Sequence, residues 1–111
     1  MVTLVIAGGR DFNNYILLKT TLDKFIEEHG KVKFICASEF GANTLAEAYA
    51  VNGGYPVSSF GDSGNYGEEM IKYAAERNGV LIAFWDGKSP GTKGMIDLGK
   101  RYGVETKVIM Y

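Results

Sequence analysis

Apolar positions alternate between two rhythms along this chain. Short runs that are apolar at nearly every position, "VTLVIA" (2–7), "VKFICA" (32–37) and "VLIAFW" (80–85), read as strands buried on both faces. Between them the spacing is helical. Tyr15, Leu18, Leu22, Phe25 and Ile26 share one face of a helix that Asp11 or Asn13 caps and that ends near His29-Gly30. Gly41 to Val51 predicts a second helix, with Leu45, Ala48 and Tyr49 inward and Asn52-Gly53-Gly54 as its stop. "YPVSSF" (55–60) is a weaker third strand, whose proline and serines suit a sheet edge. The loop "GDSGNYG" (61–67) leads to a third helix reaching about Arg77, closed by Asn78-Gly79. Ser89-Pro90 is a strong helix start, serine as N-cap and proline at the first helical position. Met95, Leu98, Gly99 and Tyr102 then share a face, and "TKVIMY" (106–111) is the last strand.

This is strand-helix repeated four times plus a final strand. It predicts an α/β fold in one domain over 1–111: a Rossmann-like open parallel five-stranded sheet with helices on both faces. Ligands of such sheets bind beyond the carboxyl ends of the strands, where the strand order reverses. Order 3-2-1-4-5 puts the loops "GGRDFN" (8–13) and "DGKSPGT" (86–92) there, beside "SEFGAN" (38–43). Order 2-1-3-4-5 would bring in "GDSGNYG" instead; the first order is preferred because Ser89 to Thr92 sits so well at a helix start.

Composition narrows the picture. With 111 residues, 46% hydrophobic and 23% charged, the chain suits one folded domain. A formal charge of −1 provides no basic field for nucleic acid, so a nucleic-acid partner is not expected. The single cysteine, Cys36, excludes an internal disulfide and fits a cytoplasmic location. The opening apolar run is too short for a signal-peptide core, and no run approaches a membrane span. Neither a cofactor nor a metal is expected, since one His and one Cys make no metal cluster. Cys36 reads as a small core residue, His29 as a helix-end residue, and Glu68-Glu69 as a solvated face. Tyr15 to Leu18 is apolar around most of a turn, which fits a core face plus a subunit interface, and a homo-oligomer is expected.

The switch-point loops carry coherent chemistry. Backbone amides near Gly91, Thr92 and Lys93 open a helix, where unpaired N–H groups and the positive dipole end hold anions. Gly8 and Gly9 allow close approach of a ligand to the backbone, and Arg10 provides a bidentate fork for phosphate. Asp11 either accepts from ribose hydroxyls or caps the first helix; Phe12 and Trp85 are candidates for stacking on a base. Asp86, Gly87, Lys88 and Ser89 complete one loop, and Ser38, Gly41 and Asn43 belong to the other. "DGKS" ends like a Walker loop, but the required glycine five residues earlier is Ile82, and no G-x-G-x-x-G follows the first strand.

"VIAGGRDF", "FGANTLAEAYA" and "LIAFWDGKSPGTKGMIDLGKRYGV" resemble the SLOG superfamily, in its YspA-like, YpsA-related branch. The resemblance implies a Rossmann-like sheet and a nucleotide or nucleotide-derived ligand. Its members include phosphoribohydrolases that release cytokinin bases, a DNA-processing protein, and domains that sense cyclic ADP-ribose-type signals in antiphage defence. The family's second motif carries an aspartate where this chain has Asn43, and Glu39 introduces a charge elsewhere. An arginine-asparagine pair common at the third helix is missing from "MIKYAAE". The catalytic glutamate of the phosphoribohydrolases falls on Met95.

The leading expectation is therefore a binder of a nucleotide-derived small molecule, ADP-ribose-like or cyclic, acting as a sensor or a sequestering protein without strong catalysis. Sequestration would suit a phage-encoded protein. The rivals are an enzyme cleaving an N-glycosidic or phosphoester bond with Asp11, Asp86 or Glu39 as acid or base, a single-strand nucleic-acid binder, and a structural assembly protein.

Overall fold

The computed structural model describes residues 1–37, 41–61 and 66–111. The chain runs β1 (Val2–Gly8), α1 (Tyr15–His29), β2 (Val32–Ala37), α2 (Ala42–Gly53), β3 (Val57–Phe60), α3 (Tyr66–Ala75), β4 (Val80–Trp85), α4 (Pro90–Arg101), β5 (Glu105–Met110). All four strand pairings are parallel and the order is β3-β2-β1-β4-β5. The first of the two sheet orders is thus the observed one, and the crossing point lies between β1 and β4.

The central strands are apolar on both sides because both sides are covered. Leu4 and Ile6 of β1 face a cluster with Leu18, Leu22 and Phe25 of α1 and Ala46 and Ala50 of α2. Val5 and Ala7 face the other way, onto Met70, Ile71 and Ala74 of α3 and Ile96 of α4. One-residue alternation in a strand and the right-handed crossover place two helices on each face. Cys36 is fully buried in the first cluster, and burial pushes its thiol up to about 12, so it is the core residue its position suggested. His29 stacks on Phe25 and bonds the Phe25 carbonyl at the end of α1. Glu68 pairs with Lys72 on an outer face of α3.

Two local expectations change. The α1 cap is Asn14, whose Oδ1 accepts from the Leu17 N–H at 3.0 Å, and not Asp11 or Asn13. The chain needs all of 9–13 to turn out of β1, which delays the helix start. On α2 the buried positions are Ala42, Asn43, Ala46, Tyr49 and Ala50, while Ala48 is exposed. The helix turns its smallest residues to the sheet and sits close. Among the described residues no helix is long and apolar enough to cross a membrane.

The close seat of α2 depends on glycine at both sides of the contact. A Cβ on Gly8 would run into the Ala42 side chain, and a Cβ on Gly41 into the Gly9 carbonyl oxygen. Gly41 also has φ +84°, where an L side chain is strained. Gly30 has nearly the same φ, +83°, but open space around it. Gly30→Ala is expected to cost about 1–2 kcal/mol from backbone strain alone. Gly41→Ala is expected to cost at least ~1 kcal/mol more, because the methyl also collides with backbone. Urea unfolding of the two variants measures the difference; equal losses would mean that the α2 contact is soft.

Candidate functional site

Where β1 and β4 end side by side, with Gly8 opposite Phe84, two loops leave the sheet in different directions. The gap between them is a cavity of about 510 Å³. Ile6, Ala7 and Ala37 form its floor from the strand ends; Gly8, Gly9, Arg10 and Asp11 form one wall, Asn43 another, and Ser89, Gly91 and Thr92 a third. Tyr66 and Met70 of α3 close the remaining side.

The β1–α1 turn is tied at Gly9. Its carbonyl accepts from Phe12 N–H at 3.2 Å and from Ala42 N–H at 3.4 Å. The start of α2 is therefore hung on the first loop. Asn43, 3% exposed, accepts at Oδ1 from the Ala37 N–H at 2.9 Å and pins the end of β2. That bond needs only an acceptor oxygen, which an amide supplies without burying a charge.

The β4–α4 loop is tied by Asp86. Its Oδ1 accepts from Lys88 N–H at 2.8 Å and Ser89 N–H at 2.7 Å, and its Oδ2 from Ser89 Oγ at 3.1 Å. Trp85 Nε1 donates to the Ser89 carbonyl at 3.0 Å. Ser89 does occupy the N-cap of α4 with Pro90 inside the helix, but its hydroxyl turns back to Asp86 and makes no capping bond. No acidic residue lies in the first turn of α4. The amides that open this helix thus keep the donor capacity that a cap would use up. The first turn of α2 also lacks an acid, and its N-cap is the side-chain-free Gly41. In contrast, α1 has its Asn14 cap and α3 has Glu68 and Glu69 in its first turn.

Two side chains complete the donor set. Thr92 is 4% exposed and lines the cavity. Its hydroxyl makes no hydrogen bond among the described residues, and no sealed polar atom there lacks a partner, so the hydroxyl opens into the cavity. Arg10 is exposed at the rim and takes part in none of the ion pairs among the described residues.

Eight of the residues that the sequence singled out therefore meet around one space: Gly8, Gly9, Arg10, Asp11, Asn43, Ser89, Gly91 and Thr92. The other described ones do not line it. Phe12 is buried in the core, stacked on Phe84 with centroids 4.9 Å apart, so it has no face left for a base. Trp85 packs against the second core cluster and closes its own loop. Lys93 pairs with Asp97 one turn along α4, at 3.1 Å. Gly41, Asp86, Gly87 and Lys88 shape the loops behind the cavity wall, Gly87 with φ +83°. Ser38 and Glu39 lie outside the described residues. Tyr66 and Met70 line it and were missed. The crossover from edge strand β3 to β4 must carry α3 past β1, which was the available signal for both.

Met95, at the position of the phosphoribohydrolase glutamate, points its sulfur at Gly67 of α3 and packs in the second core cluster. Among the described residues no three His, Cys, Asp or Glu side chains gather into a metal-sized group.

The Asp86 turn has a pH signature. Backbone N–H bonds from Ser89 and Lys88 hold its carboxyl below the ordinary 3.8. A depressed folded pKa adds stability above the unfolded value, and that increment fades as pH falls through the folded value. The stability gap between wild type and Asp86→Asn is therefore expected to be widest at about pH 7 and to shrink below about pH 4, by urea unfolding at each pH. A gap that stays constant down to about pH 2 would mean that the charge does not hold the turn.

Among protein families, the model described as "YspA, cpYpsA-related SLOG family" matches residues 2–62, the stretch from β1 through β3. The 84–97 segment, which carries much of the resemblance, lies beyond the matched residues. No curated protein and no solved structure matches the chain.

Proposed function

Because the chain belongs to the YspA, cpYpsA-related SLOG family, a group of Rossmann-like folds associated with nucleotide-related ligands, we propose that its cleft binds a nucleotide-derived small molecule. ADP-ribose-like and cyclic nucleotide signals are the favoured classes, and the role is that of a sensor or a sequestering protein without strong catalysis. One observation carries this reading: the uncapped start of α4, the Thr92 hydroxyl and Arg10, which makes no ion pair among the described residues, line the same cavity. Amides at a helix start, a hydroxyl and a guanidinium fork are complementary to phosphate oxygens. A volume near 510 Å³ falls within the range of ordinary ligand sites.

Two positions that turnover would draw on are missing or already engaged among the described residues, which supports binding over turnover. The glutamate position of the related hydrolases is Met95, turned toward α3. Asp86 is engaged by three donors of its own loop. A formal charge of −1 argues against a nucleic-acid strand as the ligand.

Calorimetry with ADP-ribose, its cyclic forms, cyclic dinucleotides and nucleoside monophosphates tests the proposal. Binding of at least one, with product chromatography recovering it intact, is the expected result; no heat from any at about 100 μM protein would sink it. Thr92→Val separates function from folding. Removing an unpartnered hydroxyl should leave stability within about 0.5 kcal/mol of wild type, or raise it. Affinity for the ligand should fall about tenfold, one charge-assisted hydrogen bond being worth roughly that factor. Unchanged affinity with unchanged stability would remove Thr92 from the site.

A further inference from the structure

One residue outside the cavity lining reaches a residue inside it. Tyr111 follows β5, and its backbone N–H donates to the Trp85 carbonyl at 3.2 Å. Its ring packs edge-on to Phe12, centroids 4.7 Å apart at 65°. Phe12 is itself fixed against Phe84 in the core. Although 41% exposed, the phenol is thus seated from two directions. Its hydroxyl donates to Asp11 Oδ1 at 3.4 Å. Both groups hang over Gly9: a Cβ built there would lie 2.7 Å from the phenol oxygen and 2.9 Å from Asp11 Oδ1.

An exposed aspartate on a turn samples several rotamers, and fixing one of them lowers the entropy that a ligand contact would otherwise cost. A bond from Tyr111 to one carboxylate oxygen leaves the second oxygen able to accept another. Burial, then the Asp11 and Asp86 carboxylates, push the Tyr111 phenol above its ordinary 10.0. It therefore stays protonated, and remains a donor, across the working pH range. The cavity lining therefore includes donors at Thr92 and Arg10 and an acceptor at Asp11. A phosphate ester of a sugar has the matching pair: anionic oxygens at one end, hydroxyl donors at the other.

Resting on the ligand class proposed above, we infer that Tyr111 is a positioning residue that orients Asp11 to accept from ribose hydroxyls, so that the site separates hydroxyl-bearing nucleotides from those without them. Tyr111 touches no ligand; its effect passes through Asp11.

Titration calorimetry with ADP, 2′,3′-dideoxy-ADP and inorganic pyrophosphate tests this on the whole chain. Wild type should prefer ADP over the dideoxy form by about tenfold. Asp11→Ala should bring that preference to within about twofold, and Tyr111→Phe to about threefold, with pyrophosphate affinity and melting temperature unchanged in both. A merely structural role for Tyr111 would weaken both nucleotides by one common factor and leave their ratio as in wild type. That outcome, or a wild-type ratio near one, overturns the inference while the phosphate site stands. If neither ADP nor pyrophosphate binds, the inference fails, and the calorimetry with ADP-ribose and the cyclic nucleotides decides separately whether the proposed ligand class fails with it.

Discussion

The carboxyl edge of this sheet is organised around one backbone carbonyl, that of Gly9. It closes the β1–α1 turn through Phe12 and holds the first amide of α2 through Ala42. The bond to Ala42 requires α2 to come almost onto the backbone of β1, which the bare Cα atoms of Gly8 and Gly41 permit. The same residue lies near the opposite loop, since a Cβ on Gly9 would be 3.6 Å from Ser89 Oγ. Two helix starts are thus drawn to either side of a single peptide unit. The cavity is the space that this convergence leaves open above the strand ends.

The four helices are not finished alike, and the difference follows the fold. At α1 an asparagine caps the first turn, and at α3 two glutamates balance the dipole. At α2 and α4 the N-cap side chain makes no capping hydrogen bond and the first turn carries no acid, whereas the start of α3, whose Tyr66 also lines the cavity, does carry acids. Ser89 is the informative case. It has the right residue type at the right position for a cap, and its hydroxyl goes to Asp86 instead. Asp86 thereby stiffens the loop while the helix start keeps its donors, so rigidity and anion affinity come from the same few residues.

Much of this was legible from residue types. Double-sided apolar runs identified the buried strands, because only a sheet covered on both faces needs them, and Ser89-Pro90 marked the α4 start to the residue. The loops at the crossing point followed from topology. What escaped were the assignments that depend on which way a side chain turns. Phe12 and Trp85 look alike in sequence, aromatics beside glycine-rich loops, yet one is core and the other closes a turn. Lys93 lies one position beyond Thr92, but successive helical residues point about 100° apart; Thr92 is turned inward while Lys93 pairs along the surface with Asp97. Asn14 took the cap because the turn at Gly9 consumes the residues before it. Tyr111 was beyond reach for another reason: it is remote in sequence from Asp11 and meets it only through the register of β5 on β4.

The polar side chains of the two loops divide by what they already hold. Asp86, Ser89 and Asn43 are bonded within the protein, and their partners are backbone N–H groups or one another. Thr92 and Arg10 are not so engaged among the described residues. A proton-transfer site needs the opposite arrangement, with a titrating group turned toward the substrate and tuned near the working pH. Asp86 is moved the wrong way for that task, to below 3.8, and by bonds that keep it facing its own loop. On the proposed reading, what the described residues turn to the cavity is a set of donors plus one aspartate held by a tyrosine, an arrangement suited to gripping a charged, hydroxylated guest.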